Sequence, residues 1–213
     1  MRVPGGVGVR DSLLKESPGS SETRGPSAAP ECSQVPLSTR EGTSLIEGRI
    51  RDVPDFPKKG IVFKDLTPLL QDAKAYGATI DRLAEAVKGH AFDLVCGIES
   101  RGFLFGATLA KTLGKGFIPI RKPGKLPWKT AAESYELEYG TDTIEIHTDA
   151  ASGGKRVLMV DDLLATGGTM GAAVQLVRKV GGTPVACAFV VELAFLKGRA
   201  KLGDLPVHAL IQY

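Results

Sequence analysis

The chain has 213 residues, which fits one domain with room for an appendage at ~100–200 residues per domain. Hydrophobic content of 43% is ordinary for a globular protein, and no apolar run approaches the ~20 residues that a membrane-crossing helix needs. The net charge of +3 is mild; it suits anionic substrates and argues against a nucleic-acid binder built on a strongly basic face.

In chain order, residues 1–43 come first and stand apart. They hold no aromatic residue and are crowded with Ser, Pro and Gly, so they cannot bury enough apolar surface to offset ordering entropy and are expected to be a disordered extension. They lack the 7–15-residue apolar core of a secretory signal, and their five acids count against a transit peptide. A start codon placed too far upstream is the mundane alternative. From Ser44 a short helix is expected, with Leu45, Ile46, Arg49 and Ile50 at helical spacing and Glu47 completing a capping box. Residues 53–70 read as an irregular, Pro-rich cover, and residues 73–88 as an amphipathic helix bearing Ile80, Leu83, Ala84 and Val87.

The core then alternates. Strands are expected at 93–98, 117–120, 143–147, 156–160, 185–193 and 207–211, with helices over 104–113 and from Met170 to about Val177, stopped by Gly181-Gly182. Such alternation predicts an α/β fold with a mostly parallel twisted sheet flanked by helices. The stretch from Lys122 to Gly140 is long for a connection and reads as a mobile lid loop. Three isolated cysteines indicate neither a zinc site nor a disulfide framework; Cys96 and Cys187 read as buried core residues, Cys32 lies in the extension, and a reducing cytoplasm is the default compartment.

Chemistry concentrates at Arg156–Thr169. A buried strand ends in Asp161-Asp162, an apolar Leu163-Leu164 step follows, and Ala165-Thr166-Gly167-Gly168-Thr169 feeds a helix. In an open α/β sheet, ligands bind beyond the carboxyl ends of the strands. A Thr/Gly loop at a helix amino terminus offers N–H groups, hydroxyls and a positive dipole end to a phosphate. Two acids just upstream suit vicinal sugar hydroxyls, so the run describes a seat for a ribose 5-phosphate. No Walker loop is present, since no Gly-Lys pair is followed by Ser or Thr, and no G-x-G-x-x-G follows a predicted strand. Arg101 follows one predicted strand end and Arg121, Lys122 and Lys125 follow the next, which places these cations at the same crevice.

This run resembles the phosphoribosyl pyrophosphate motif of type I phosphoribosyltransferases. Four further segments narrow the resemblance to the members that act on adenine: residues 55–68 (DFPKKGIVFKDLTP), 97–106 (GIESRGFLFG), 120–127 (IRKPGKLP) and 134–140 (SYELEYG). It spans roughly residues 45–213 and does not cover the extension. It implies the type I phosphoribosyltransferase fold, with a domain over 44–213, a small hood over about 44–70 and a lid. The implied reaction moves the 5-phosphoribosyl group of phosphoribosyl pyrophosphate to adenine, giving AMP and pyrophosphate.

Under that resemblance Asp161 and Asp162 hold the ribose hydroxyls and Ala165–Thr169 the 5-phosphate, while Arg101, Arg121, Lys122 and Lys125 hold the pyrophosphate. The resemblance further implies a strained peptide between Glu99 and Ser100, Glu138 as acid–base group, Tyr139 and Arg101 as further catalytic residues, and Val62, Phe63 and Lys64 around adenine. Ile61 adds apolar contact there; Phe63 as simple core packing is an equal alternative, and Lys64 stands where Arg is common. Mg²⁺ is expected on the pyrophosphate rather than on protein ligands. A homodimer is implied, with no nucleic-acid or membrane partner. Two rivals stay open: transfer to another base, and a regulator that retains the sugar pocket as a sensor. His90, His147 and His208 show no convergent spacing, and Trp128 is either a base-stacking group or a hinge anchor.

Overall fold

The computed structural model describes residues 39–136 and 140–213; the expected disordered extension therefore lies, up to residue 38, outside the described residues. Five strands form one parallel sheet in the order β4-β3-β7-β8-β9. They are β3 (Leu94–Ile98), β4 (Gly116–Ile120), β7 (Arg156–Leu164), β8 (Thr183–Glu192) and β9 (Val207–Gln212). From β3 the chain builds outward to β4, then returns to place β7 on the other side of β3. The strand order thus reverses between β3 and β7, where the crevice of such a sheet opens.

Pleat alternation sorts the central side chains onto two faces. Val157 and Met159 of β7, with Cys96 and Ile98 of β3, meet the helix α5 (Gly168–Lys179) through Met170, Ala173, Val174 and Val177. Leu158 and Val160, with Val95, face the helices α3 (Ala73–Val87) and α4 (Arg101–Thr112). Four consecutive fully buried apolar residues, Val157–Val160, are what a strand covered on both faces requires. Helix α3 starts where Asp72 accepts the N–H groups of Lys74 and Ala75, both at 3.0 Å, and buries Ile80, Leu83 and Val87. The expected α/β class and parallel sheet are therefore present, with right-handed-type strand–helix–strand units on both faces.

Several local expectations change. Helix α1 runs Thr39–Glu47, so Ser44 lies inside it, its carbonyl accepting from the Gly48 N–H at 3.0 Å, and does not cap it. The expected irregular cover contains an antiparallel hairpin, β1 (Arg51–Pro54) with β2 (Val62–Asp65), followed by the short helix α2 (Thr67–Gln71). Its exposed, charge-rich strands carry no apolar alternation to announce them. Helix α4 begins at Arg101 rather than at 104. Strand β7 runs on through both acids to Leu164, because β8 continues beside it to the Leu164–Glu192 pair after β3 has ended.

The expected lid is largely structured. Strand β5 (Thr130–Glu136) pairs antiparallel with β6 (Thr141–His147) outside the main sheet. The hairpin docks by Ile144 and Ile146, both fully buried, and by the Lys179 Nζ donating to the Ala132 carbonyl at 2.9 Å. Its polar sequence masked the strand, since only one face is covered. Glu138 and Tyr139, at the hairpin tip, lie outside the described residues.

Candidate functional site

Because all five core strands are parallel, their carboxyl ends lie along one edge. Glu99, Arg121, Asp162, the loop 165–167 and Glu192 are carried there by four different strands.

At the phosphate-type loop, Gly167 caps α5 in the left-handed region (φ 78°), and the first helical bond runs from the Gly171 N–H to the Gly167 carbonyl at 2.9 Å. The N–H groups of Gly168, Thr169 and Met170 precede that ladder and have no acceptor within the helix. With the positive end of the helix dipole behind them, they make an anion seat.

The two acids differ. Asp162 is buried, at 5% exposure. Its Oδ2 lies 2.7 Å from Arg101 Nε, yet off the direction a hydrogen bond needs, so this buried oxygen has a counter-charge and no donor. Asp161 is partly buried, packs against Gly102 at the start of α4, and accepts the Asp162 N–H at 2.9 Å. Loss of water raises the Asp161 carboxyl well above the ordinary carboxylate range, and the neighbouring Asp162 charge adds to it. Burial also raises Asp162, against the pull of Arg101.

The expected pyrophosphate cations separate into three settings. Arg101, at the head of α4 just after the cis Glu99–Ser100 peptide, pairs with Asp162 and holds its guanidinium 5.2 Å from the Phe63 ring centre. Arg121 and Lys125 converge on Glu99: Lys125 Nζ at 2.5 Å and Arg121 Nε at 3.3 Å, with the Lys122 N–H donating at 3.0 Å. The Lys125 ammonium and these companions hold the Glu99 carboxyl down to about 2. Lys122 turns instead to Asp142 and the Tyr135 hydroxyl of the β5–β6 hairpin. Among the residues expected around adenine, Val62 is half exposed and Phe63 stacks edge-on with Phe56 at 5.2 Å. The Lys64 ammonium points elsewhere, 2.7 Å from Asp52 and 3.5 Å from the Tyr213 ring centre.

Other groups were not legible beforehand. His90 and His208, 118 residues apart, meet with their Nε2 atoms 2.8 Å apart. Trp128 packs edge-on against His147 at the hairpin's base. Asp142, Tyr135 and Glu145 join the cation cluster; only the hairpin register brings them there, and that register has no sequence motif. The described residues contain no group of three or more His, Cys, Asp or Glu side chains that would hold a metal ion unaided, and none of their helices is long and apolar enough to cross a membrane.

Comparison with known proteins places this geometry. A family model described as the phosphoribosyl transferase domain matches residues 69–203. The adenine phosphoribosyltransferase of Thermotoga petrophila is 56% identical over 164 residues, which is 77% of this chain and 96% of the relative. The crystal structure of the adenine phosphoribosyltransferase of Thermoanaerobacter pseudethanolicus superposes with a TM-score of 0.79 at 55% identity, covering 80% of this chain and 99% of the other. The Saccharomyces cerevisiae enzyme, solved with adenine and D-2,5-dideoxy-2,5-imino-altritol 1,6-bisphosphate, gives 0.75 at 42% identity, covering 80% and 99%.

Proposed function

Since the chain belongs to the adenine phosphoribosyltransferases, we propose a mechanism in which its strand-end residues carry the family's reaction. The enzyme transfers the 5-phosphoribosyl group of phosphoribosyl pyrophosphate to adenine, giving AMP and pyrophosphate, a step of purine salvage. The domain spans residues 44–213, with residues 44–70 as the hood that carries the base contacts. The observation that supports the site best is the buried Asp162 oxygen without a donor, set beside a loop of free helix-terminal N–H groups.

In that site Ala165–Thr169 seat the 5-phosphate through backbone N–H groups and the Thr166 and Thr169 hydroxyls. Asp162 and Asp161 accept the ribose hydroxyls, which gives the orphaned Asp162 oxygen its donor. The bond from the anomeric carbon to the pyrophosphate oxygen breaks as the bond to the adenine ring nitrogen forms, through an oxocarbenium-like transition state. Positive charge on the sugar then lies near the two acids. Negative charge on the departing oxygen is met by Arg101, Arg121, Lys122 and Lys125, whose present carboxylate partners hold them at the crevice beforehand. Mg²⁺ belongs on the pyrophosphate with water completing its shell, where it neutralises leaving-group charge.

Adenine lies against Val62 and Phe63. Lys64 contributes by its backbone, since its ammonium is held by Asp52 and Tyr213. Glu138 takes the proton that adenine loses, and Tyr139 closes over the pyrophosphate. The enzyme acts as a homodimer in the cytoplasm; the buried, unpaired thiols of Cys96 and Cys187 suit a reducing compartment. Incubation with phosphoribosyl pyrophosphate, Mg²⁺ and a panel of bases tests this: AMP is the expected product, and turnover of hypoxanthine or orotate in preference to adenine would reject it.

A further inference from the structure

The two 3₁₀ turns after β8, Ala194–Leu196 and Gly198–Leu202, take no part in the roles above. Strand β8 ends at Glu192, a carboxylate only 3% exposed. Arg199 reaches back to it with both arms, Nε to Oε1 at 2.7 Å and Nη2 to Oε2 at 2.6 Å. Gln212 of β9 donates to Oε2 at 2.8 Å, and Arg199 Nη1 donates to the Val207 carbonyl at 3.1 Å. One buried acid thereby ties the second turn to the ends of two core strands. Bidentate, charge-assisted bonds of this kind fix geometry as well as add energy.

The residue next to Arg199 stands directly behind the phosphate loop. A Cβ added at Gly198 would lie 2.2 Å from the Ala165 carbonyl oxygen and 3.1 Å from the Gly167 nitrogen. A Cβ at Gly167 would in turn lie 2.2 Å from the Gly198 oxygen. A Cβ at Gly171 would touch the Lys201 carbonyl at 3.4 Å. Backbone rests on backbone, with no side chain between. The loop has no long side chain of its own at Ala165, Gly167 or Gly168 to anchor it, so its placement is set by the wall behind it, and the wall by Arg199.

We infer that Arg199, locked by Glu192, is a positioning residue for the 5-phosphate: it fixes the turn that backs the phosphate loop without touching substrate. This rests on the assignment of Ala165–Thr169 as the 5-phosphate seat. Placement errors near 1 Å in a binding site are enough to cost about a hundredfold in rate.

The test compares the wild-type chain with Arg199→Met, Arg199→Lys and the double variant Glu192→Met/Arg199→Met, which removes the orphaned buried charge. Kinetics with each substrate varied, AMP affinity by calorimetry and melting temperature are measured together. Arg199→Met is expected to raise KM for phosphoribosyl pyrophosphate and the AMP Kd by about tenfold or more, with KM for adenine within about twofold. Arg199→Lys is expected to recover part of the loss, and the double variant to recover melting temperature while KM stays high. The inference is overturned if both KM values rise together, if neither moves, or if KM returns with melting temperature in the double variant. A wild-type chain that makes no AMP would instead reject the functional assignment on which the inference stands.

Discussion

Gly167 offers the sharpest test of how tightly the phosphate loop is built. It combines a left-handed φ of 78° with a neighbour, the Gly198 oxygen, that would sit 2.2 Å from an added Cβ. That separation is more than about 1 Å short of van der Waals contact, and both sides are main chain, so no flexible side chain can give way. An Ala there carries about 1–2 kcal/mol of left-handed strain and about 1–3 kcal/mol of overpacking. Gly181 provides the control: its φ is 85°, but nothing lies within 4 Å of its added Cβ. Gly181→Ala should therefore lose only about 1–2 kcal/mol by urea denaturation and keep its kinetics. Gly167→Ala should lose about 2–5 kcal/mol and raise KM for phosphoribosyl pyrophosphate by about tenfold or more. Equal stability losses in the two variants, with KM unchanged in Gly167→Ala, would refute the argument from close approach.

Other outcomes follow from the same geometry. Glu99 has a carboxyl held at about 2 against an ordinary 4.5, so its ion cluster adds stability that is fully present above 4.5 and is lost as pH falls toward 2; Glu99→Gln should flatten that acid limb of melting temperature against pH. Glu138→Gln should lower kcat at least about tenfold with KM for adenine little changed, measured by initial rates at saturating sugar donor. Leu158→Ala, in the middle of a strand covered on both faces, should cost about 2–5 kcal/mol in denaturant unfolding. Chelation of Mg²⁺ should stop AMP formation, and added Mg²⁺ should restore it.

Much of the architecture was legible because it depends on local pattern. The unbroken apolar run Val157–Val160, the spacing of Ile80, Leu83 and Val87, and the Thr-Gly-Gly-Thr loop before α5 each carry their own signal. What escaped depends on pairing across the chain. The polar strands β1, β2 and β5 form because a partner strand is near, and nothing in their own alternation announces it. The cations at Arg101, Arg121, Lys122 and Lys125 were found by position, yet their division among Asp162, Glu99 and Asp142 follows from register and helix start. The turn around Gly198 gave no sign at all, since its contact with the loop is between main chains and leaves no mark in side-chain pattern.

The reversal of strand order between β3 and β7 has a practical corollary. Everything before the exposed Gly153-Gly154 turn supplies the base-facing hood and the cations; everything after it supplies the acids and the anion loop. A chain cut there gives two pieces, each with half of the chemistry and an uncovered sheet edge. Neither should make AMP alone. Mixing them should bring activity back, which would make this scaffold a split reporter whose signal depends on two tethered proteins meeting.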